Sequence, residues 1–474
     1  MSTFLADMQA RGQVHAVTDE NALSAYLGEG DPAARRAYAG FDPTADSLTI
    51  GNLVTIMALA RFQHAGHTPV VVMGGGTGLI GDPSGKSAER MLLTRETVHQ
   101  YVDAQSRLIA RVLDNAALLA PPRTSGAPLA APIFRNNADW LGKLSYLDVL
   151  RDFGKYFSVN QMIVRDSVRD RLTQREQGIS YTEFSYMILQ AIDFDHLHAS
   201  GGIMLQMGGS DQWGNIVSGV DLIRRRVAVG TKALDKHLRG SEPCDSESVE
   251  TAINKAAFGL TWPLVTKADG GKFGKTESGA IWLTPRAGPE DTSTSRTSAF
   301  AYYQFWLNAA DADTGRFLRT FTFLTMEEIA ELEAKQAANP GAREAQRAVA
   351  DAATAIVHGP EAAASARSAA AALFSGDLAS IHPDMLRDAL AGAESSTQPR
   401  TALEGEGLAL IDLLVPAGLA ASKTEARQFL STGAVTVNGQ KAALATRLTK
   451  ADLLHSELIT LRRGKKTMHV LRFA

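Results

Sequence analysis

The stretch that decides the fold is Pro69–Met73 (PVVVM), followed directly by the glycine-rich residues 74–86 (GGGTGLIGDPSGK). PVVVM is short, rich in β-branched residues and bounded by glycines, which is typical of a buried parallel strand. Residues 203–207 (IMLQM) are a second run of this kind, again ending at glycines. Helical candidates lie between the two runs, at residues 53–65 and 183–194. The alternation predicts a doubly wound α/β domain with a parallel sheet, from about residue 35 to 260.

Length and composition limit the possible classes of protein. The 474 residues exceed what one ordinary core holds, so we expect two or three domains. Hydrophobic residues make up 45% and charged residues 21%, as in soluble globular proteins, and the net charge of −3 neither demands nor excludes a nucleic-acid partner. Cys244 is the single cysteine, which excludes an internal disulfide framework and fits a reducing cytosol. Because no apolar run reaches the roughly 18 residues that span a membrane, we expect a cytoplasmic protein without a membrane segment.

Shifts in composition predict further domains. The region 300–390 is rich in Ala, Glu, Leu and Arg, which favours a helical domain, whereas 391–406 is polar and broken by Pro and Gly, which favours a linker. In the last segment we expect helices at 408–416 and 422–431 and strands near 434–437 and 457–461. The predicted segments are 1–265 (α/β domain), 266–299 (connection), 300–390 (helical domain), 391–406 (linker) and 407–474 (small C-terminal domain).

A first cluster with chemical potential is Tyr38–Asn52 (YAGFDPTADSLTIGN). Its end leads into a predicted helix, and the free backbone N–H groups at a helix start favour anionic oxygens. Gly51 removes a side chain where a flat nucleotide base could approach the backbone. By itself, an ordinary helix start explains this cluster equally well.

The glycine-rich cluster Gly74–Lys86 is neither a Walker loop nor a dinucleotide fingerprint by its spacing. Glycines after a buried strand nevertheless favour a small ligand that touches the main chain. Asp82, beside a proline on this turn, could receive an ammonium group. The alternative is a structural turn in which Asp82 caps a helix.

The third cluster is Lys267–Thr276 (KADGGKFGKT), in which Lys272 and Lys275 flank a glycine. Lysines on a mobile loop suit a polyphosphate, because negative charge grows on the leaving group during phosphate-transfer chemistry. A solvated basic loop is the usual explanation for such a run in isolation.

Together and in this order, the clusters resemble the class I aminoacyl-tRNA synthetases, and their bacterial tyrosine-specific branch in particular. Residues 40–52 resemble the His-Ile-Gly-His signature region, and residues 272–276 (KFGKT) resemble the Lys-Met-Ser-Lys-Ser loop. Residues 182–194 (TEFSYMILQAIDF) and 208–215 (GGSDQWGN) resemble motifs specific to the tyrosine branch. The similarity covers nearly the whole chain.

The resemblance implies a Rossmann-like catalytic domain, a helical domain and a small C-terminal RNA-binding domain, usually in a homodimer. It also implies an activity, that of a tyrosine–tRNA ligase. Such an enzyme activates tyrosine with ATP to tyrosyl-adenylate and pyrophosphate, and then transfers tyrosine to the 3′ end of its tRNA. Mg²⁺ would accompany the phosphates of ATP, and no dedicated metal site on the protein is expected.

Site residues follow from the same resemblance. Tyr38 and Asp193 would hold the phenol hydroxyl. The other predicted tyrosine-binding residues are Asp82, Tyr186 and Gln190 at the ammonium group and Gln206 and Gln212 near the carboxylate. The predicted ATP-binding residues are Gly40, Asp42, Gly51, Asp211 and Lys275. The predicted catalytic residues are Thr44, Thr49, Asn52, Lys272, Lys275 and Thr276.

Helix spacing agrees with this pocket. Tyr186, Gln190 and Asp193 are four and three residues apart, so they share one helix face. Core packing is the alternative for such a stripe, but Gln190 and Asp193 are polar and would need partners if buried.

The chain departs from the family where the signature histidines stand, since Thr49 and Asn52 occupy these positions. Both keep a hydrogen-bond donor, but neither can become an imidazolium. If positive charge matters there, activation is slower.

The C-terminal region, 401–474, carries ten Lys and Arg against six Asp and Glu. Ser422–Asn438 resembles a small RNA-binding fold named after a protein of the small ribosomal subunit. The candidate tRNA-binding residues are Lys423, Arg427, Arg462, Arg463, Lys465 and Lys466. Charge that serves only solubility is the alternative.

Two other functions remain open. A tryptophan-specific synthetase shares the expected architecture, but an indole has no hydroxyl for Tyr38 and Asp193 to recognise. A non-catalytic RNA-binding paralogue is the other alternative, and Thr49 is the feature that favours it.

Overall fold

The computed structural model describes residues 3–82, 93–123, 127–165, 168–169, 172, 178–239, 256–268, 270–271, 273–276, 279–286, 291, 293–464 and 467–474. For residues 231–239, 275, 276 and 374 it describes the backbone alone.

The strands are given in chain order. They are β1 (Ala16–Val17), β2 (Arg36–Phe41), β3 (Thr68–Met73), β4 (Ile133–Asn136), β5 (Leu205–Gly209), β6 (Phe258–Trp262), β7 (Lys275–Thr276), β8 (Gly279–Ala280), β9 (Glu394–Gln398), β10 (Leu408–Ala409), β11 (Val435–Val437), β12 (Gln440–Lys441), β13 (Arg447–Leu448), β14 (Leu458–Arg463) and β15 (Thr467–Phe473).

The helices follow in the same way. They are α1 (Thr3–Ala10), α2 (Glu20–Gly28), α3 (Ile50–His64), α4 (Arg95–Leu119), α5 (Ala138–Leu141), α6 (Val159–Ile163), α7 (Tyr181–Gly201), α8 (Trp213–Arg239), α9 (Ala299–Leu307), α10 (Asp311–Phe321), α11 (Met326–Ala338), α12 (Glu344–His358), α13 (Pro360–Ser375), α14 (Pro383–Ala389), α15 (Leu410–Leu413) and α16 (Lys423–Ser431). Short helical turns include Thr77–Leu79, Tyr146–Asp148, Val149–Phe153, Gly154–Tyr156 and Ser210–Gln212. No helix in the described part of the chain combines the length and the apolar character that a bilayer crossing needs.

The predicted doubly wound α/β fold is confirmed. The main sheet has the strand order β1-β6-β5-β2-β3-β4, and all neighbours are parallel except β1, which runs antiparallel to β6. The predicted strand Pro69–Met73 lies within β3, whose residues are all buried. The chain order reverses between β2 and β5, because β3 and β4 continue to one side and β5 and β6 to the other. In open α/β sheets, ligands bind at the carboxyl ends of the strands beside such a reversal.

Local signals explain where the two helices nearest this reversal begin and end. In α3, the N-cap Thr49 and Asn52 form a capping box. In α7, the side chain of Ser180 accepts a hydrogen bond from the backbone of Glu183, and the C-cap Gly202 has a left-handed backbone with φ of 60°. These caps fix the residue at which α3 begins and the two ends of α7. They therefore also fix the direction of the α7 face that carries Tyr186, Gln190 and Asp193.

Two compact units divide the chain at boundaries that differ from the predicted ones. The first comprises Met1–Thr284 and Ala310–Ala345, and the second comprises Pro285–Ala309 and Gln346–Ala474. Helices α10 and α11, which lie within the predicted helical segment 300–390, belong to the same unit as the α/β sheet. Composition could not show this, because the contact involves backbone groups of α10. The guanidinium of Arg61 on α3 binds the carbonyl oxygens of Arg319 and Thr322 at the end of that helix.

The second unit contains a strand within the predicted linker, 391–406. Residues 394–398 form β9, which pairs in parallel with β15 at the edge of a five-stranded sheet. The strand is polar and mostly exposed, so it lacks the apolar alternation by which strands are recognised in sequence. A shared apolar core includes Ala369 and Leu386 from the helices and Leu458 and Val470 from the sheet.

Candidate active site

A cavity of about 620 Å³ opens at the carboxyl ends of β2 and β5, where the chain order reverses. The start of α3, one face of α7, residues 262–266, Phe273 and Trp282 also line it. The predicted site residues that line it are Tyr38, Gly40, Asp42, Thr44, Thr49, Gly51, Asn52, Asp82, Tyr186, Gln190, Asp193, Gln206, Asp211 and Gln212. The structure therefore brings together, in one cavity, residues from four separate stretches of sequence.

One end of the cavity is formed by Tyr38 on β2 and Asp193 on α7, and both side chains are almost completely buried. Oδ1 of Asp193 accepts a hydrogen bond of 2.7 Å from the indole Nε1 of Trp140, and Oδ2 accepts one of 2.8 Å from Nδ2 of Asn137. The hydroxyl of Tyr38 is buried and has no hydrogen-bond partner among the described residues. Buried polar groups are rarely left unpaired, so this hydroxyl is suited to a ligand that supplies a polar atom.

Burial determines the protonation of this end of the cavity. It raises the pKa of Asp193 from 3.8 to about 7, although the hydrogen bonds from Asn137 and Trp140 lower that pKa in part. It also raises the pKa of Tyr38 well above its usual range, and the nearby Asp193 charge adds to the effect. Tyr38 therefore stays a neutral hydroxyl, whereas Asp193 changes charge near neutral pH.

The neighbouring part of the cavity is acidic. Asp42 accepts hydrogen bonds from the Tyr186 hydroxyl at 2.9 Å and from the Thr77 hydroxyl at 2.8 Å. Asp82 accepts one of 2.8 Å from Nε2 of Gln212. Carboxylates gathered in a partly enclosed space favour a cationic group.

Further contacts extend this polar network. Oε1 of Gln190 accepts a hydrogen bond of 3.0 Å from Nδ2 of Asn215, and Nε2 of Gln212 is 3.2 Å from Oδ2 of Asp211. Burial raises the pKa of Asp211, and the charge of Asp82 raises it further. Gln206 is buried, and its Oε1 has no partner in the part of the chain that the structure describes.

The start of α3 forms another wall. The backbone N–H and the hydroxyl of Thr49 both lie 3.0 Å from Oδ1 of Asn52. The two residues that replace the family's histidines therefore bind each other. The first backbone N–H groups of the helix lie beside the cavity, where they favour an anionic ligand.

Gly51 lies on the exposed side of this helix start. A Cβ atom at this position would meet only the Thr49 hydroxyl oxygen, at an ordinary contact distance of 3.6 Å. The protein's own packing therefore does not require a glycine here. This supports the prediction that the glycine leaves room for a ligand.

The KFGKT segment is described in part. Lys272 lies outside the described residues, and Lys275 and Thr276 are described only as backbone, in the short strand β7. Phe273 lines the cavity. Gly274 has a φ of 77°, and a Cβ atom there would lie 2.3 Å from Cγ2 of Ile50, so only glycine fits.

Sequence reasoning missed the residues that support Asp193 and Asp42. Asn137 and Trp140 follow the carboxyl end of β4, and Thr77 follows that of β3. The sequence marks these residues only by their position after a predicted strand, because polar residues directly after a parallel strand lie at the edge of the sheet where ligands bind.

The predicted tRNA-binding residues lie in the second unit. Lys423 on α16 forms an ion pair of 2.8 Å with Asp412, whereas Arg427 on the same helix is exposed. Arg462 and Arg463 lie on β14, and the guanidinium of Arg463 is 5.1 Å from the ring centre of Phe429 on α16. The other two candidates, Lys465 and Lys466, lie outside the described residues.

Comparison with known proteins agrees with this geometry. The family described as tRNA synthetases class I (W and Y) matches residues 32–375, and the tyrosine–tRNA ligase SYY-like C-terminal domain matches residues 391–471. The chain is 44% identical to a tyrosine–tRNA ligase of Roseiflexus castenholzii over 476 residues, covering 100% of both chains. It is 45% identical to one of Dechloromonas aromatica over 466 residues, covering 98% of this chain and 97% of the other.

A solved structure is also similar. The C-terminally truncated mitochondrial tyrosyl-tRNA synthetase of Aspergillus nidulans superposes with a TM-score of 0.64 at 28% identity. The superposition covers 79% of this chain and 95% of that one.

Proposed function

This chain belongs to the class I tRNA synthetases (W and Y), and we propose that it joins tyrosine to its tRNA after activating the amino acid with ATP. One observation carries the proposal: the buried Tyr38 and Asp193 line the same cavity as Gly51 and Asn52 at the signature helix. Its curated relatives, tyrosine–tRNA ligases with 42–45% identity over nearly the full chain, support the same activity.

In the proposed complex, the phenol hydroxyl of the substrate lies between Tyr38 and Asp193. It donates to the Asp193 carboxylate and pairs with the Tyr38 hydroxyl, which has no partner among the described residues. Phenylalanine would leave the Tyr38 hydroxyl buried and unpaired, at a cost of about 1–3 kcal/mol, and would give the Asp193 carboxylate no third hydrogen bond. This asymmetry favours tyrosine over phenylalanine. An indole has no hydroxyl, so the same pair disfavours tryptophan.

The ammonium group of the substrate is assigned to the acidic part of the cavity, beside Asp82, Tyr186 and Gln190. The Tyr186 hydroxyl is held by Asp42, and Asp82 is held by Gln212, so the polar groups around the ammonium are fixed before the substrate binds. Fixed donors and acceptors reduce the cost of ordering on binding.

The reaction then depends on position and charge. One carboxylate oxygen of tyrosine attacks the α-phosphorus of ATP, the new O–P bond forms, and the bond to pyrophosphate breaks. The backbone N–H groups at the start of α3 and the lysines of KFGKT are the groups of this chain proposed to stabilise the phosphates. Asp211 is proposed to bind the ribose. Mg²⁺ is proposed to enter with ATP, bound to its phosphates. The terminal ribose hydroxyl of tRNA then takes the tyrosyl group from the adenylate.

Exchange of labelled pyrophosphate into ATP tests the first half-reaction. The purified full-length chain should exchange pyrophosphate when tyrosine is added, and not when tryptophan or phenylalanine is added at the same concentration. Exchange that depends on tryptophan would assign the chain to the tryptophan-specific alternative. Absence of exchange with every amino acid, together with tRNA binding, would favour the non-catalytic paralogue.

We further propose a homodimer. Large apolar side chains that are exposed concentrate between residues 146 and 181, at Tyr146, Leu147, Leu150, Val159, Ile163, Val164 and Tyr181. The hydroxyls of Tyr146 and Tyr181 lie 3.2 Å apart, which joins the two ends of this segment. Exposed apolar surface of this kind is typical of a protein–protein contact. Leu147→Asp should halve the mass measured by light scattering; an unchanged mass would place the contact elsewhere.

The basic residues of the second unit are proposed to bind the tRNA, with Lys423 and Arg427 on one helix face.

The single cysteine supports a location in the reducing cytoplasm.

A further inference from the structure

The middle of the KFGKT segment is attached to helix α10 by aromatic contacts. The ring of Phe273 stacks on that of Phe321, with centres 5.5 Å apart and an angle of 15° between the planes. It also contacts the ring of Phe317, with centres 5.2 Å apart. Phe317 and Phe321 are buried, whereas Phe273 is only partly covered and also lines the cavity. The two α10 rings therefore form a preformed seat for the Phe273 ring, and aromatic pairs of this kind are stabilising.

The residues just before this point are fixed to the same helix by polar contacts. The backbone N–H of Ala268 donates to Oδ2 of Asp313 at 3.2 Å, and the guanidinium of Arg316 donates to the carbonyl oxygen of Thr266. Both of these side chains belong to the first half of α10. The segment is thus held by α10 at two places, one polar and one aromatic.

Helix α10 is in turn held by Arg61 on α3 and by Arg11. The buried Arg61 on α3 donates to the carbonyl oxygens of Arg319 and Thr322, and Arg11 donates to that of Leu324 at 2.8 Å. A helix whose last carbonyl groups are bound by two guanidinium groups is fixed at its carboxyl end.

The segment also contacts the start of α3 directly. The N–H of Ile281 donates to the carbonyl oxygen of Gly274 at 2.9 Å, and the N–H of Ile50 donates to that of Ile281 at 2.9 Å. Gly274 packs so closely against Ile50 that no side chain fits there. Phe273 and Gly274 therefore lie in fixed positions, and they are the two residues between Lys272 and Lys275 in the sequence.

We propose that Phe273 is a positioning residue for the adenylation step, because its seat on Phe317 and Phe321 fixes the backbone of residues 273 and 274, which separate Lys272 and Lys275 in the sequence. This inference rests on the proposed function of the cavity. Positioning matters for such a step, since a displacement of about 1 Å lowers rates by up to about a hundredfold. Binding of tyrosine does not depend on the lysines, so it is expected to stay unchanged.

The test compares three variants in tyrosine-dependent pyrophosphate exchange. Phe273→Ala is expected to lower kcat by between about tenfold and a hundredfold, with an unchanged dissociation constant for tyrosine and an unfolding midpoint slightly below that of the wild type, because two stabilising ring contacts are lost. Phe273→Met should recover most of the lost rate, because a methionine side chain is flexible, fills apolar gaps and contacts aromatic rings favourably. Phe305→Ala, which truncates a partly buried ring on α9, is the matched control and should keep the wild-type rate.

A contact of Phe273 with the substrate itself would also lower the rate, and Phe321 separates the two explanations. Phe321 does not line the cavity. If the seat is what matters, Phe321→Leu lowers kcat as well, and the double variant Phe273→Ala/Phe321→Leu is no slower than Phe273→Ala alone. Additive losses, or an unchanged rate in Phe273→Ala, would overturn the proposal. Should Phe321→Leu not fold, Phe317→Leu takes its place, because Phe317 is the other ring of the seat and does not line the cavity either. Inactive wild-type protein would instead refute the proposed function.

Discussion

Trp140 donates its indole Nε1–H to Oδ1 of Asp193 at 2.7 Å, deep in the wall of the cavity. Asn137 donates to the other carboxylate oxygen. Together the two hydrogen bonds orient the Asp193 carboxylate, which is proposed to bind the substrate hydroxyl, and lower its pKa in part. In the proposed complex, recognition of the substrate hydroxyl therefore depends on the two residues that hold the Asp193 carboxylate in place.

The raised pKa of Asp193 predicts a pH dependence of tyrosine binding. Burial raises this pKa to about 7, so the carboxyl group is mostly protonated at pH 6 and mostly ionised at pH 8. The ionised form accepts three hydrogen bonds without competition from its own proton. Tyrosine affinity should therefore rise with pH up to about 7, by at most about tenfold per unit below the pKa. Equilibrium dialysis between pH 5.5 and 8.5 measures this, and a flat profile would exclude Asp193 as the titrating acceptor.

The same shift affects stability. Between the ordinary pKa of 3.8 and the raised value of about 7, the folded state keeps a proton that the unfolded chain has released. The contribution of Asp193 to the free energy of unfolding is therefore present at low pH and is lost as the pH rises through this window.

Trp140→Phe removes a donor that lowers the pKa of Asp193, so the midpoint of tyrosine binding should move to higher pH. Trp306→Phe, in the second unit, should leave the midpoint where it is.

Thr49 is predicted to limit the adenylation rate. Its hydroxyl and N–H are both directed to Asn52, so the pair contributes no positive charge at the phosphates. Thr49→His should raise the rate of adenylate formation, by about tenfold for each 1.4 kcal/mol gained in the transition state, and leave tyrosine affinity unchanged. Stopped-flow measurement of adenylate formation separates the two quantities. Thr94→His, at the N-cap of α4, is the control. Equal changes in rate and tyrosine affinity would argue against this role.

Gly51 is predicted to matter for ATP and not for folding. Alanine fits at this position in the protein alone and favours a helix by up to about 1 kcal/mol, so Gly51→Ala should be at least as stable as wild type. If the base of ATP approaches the backbone here, the added methyl group costs about 1–3 kcal/mol of ATP binding. The KM for ATP should then rise at least about fivefold, whereas Gly230→Ala on α8, where alanine also favours the helix, leaves the KM for ATP unchanged. A normal KM in Gly51→Ala would remove Gly51 from the ATP site.

Arg427 is predicted to contribute more to tRNA binding than Lys423. The charge of Lys423 is partly offset by its ion pair with Asp412. Arg427→Ala should weaken tRNA binding and reduce the slope of its salt dependence by about 1, and Lys423→Ala should do so less. Filter binding at several salt concentrations measures both. Gln428→Ala, an exposed neutral neighbour, is the control; if all three variants behave alike, α16 does not contact the phosphates.

The sequence was sufficient for the parts of the fold that have strong local signals. The apolar run of β3 and the spacing of Tyr186, Gln190 and Asp193 predicted a parallel strand and one face of a helix, and both are observed. The place of the cavity followed from the carboxyl ends of these strands.

The rest depended on contacts between distant segments. Trp140 supports Asp193 across 53 positions, and no local pattern marks it. Strand β9 is polar because it lies at an exposed edge, so it was indistinguishable from a linker. The attachment of α10 to the first unit rests on carbonyl groups, which every residue possesses and no composition reveals.

The central claim is that this cavity recognises a phenol hydroxyl. The most direct test is to measure how well the variant Tyr38→Phe discriminates between tyrosine and phenylalanine. The measurement is the ratio of kcat/KM for the two amino acids in pyrophosphate exchange, with Tyr302→Phe, a buried tyrosine of the second unit, as the matched control. Loss of one neutral hydrogen bond, about 0.5–1.5 kcal/mol, should lower kcat/KM for tyrosine between about twofold and about tenfold and leave that for phenylalanine unchanged or higher. A ratio equal to that of the wild type would contradict the account.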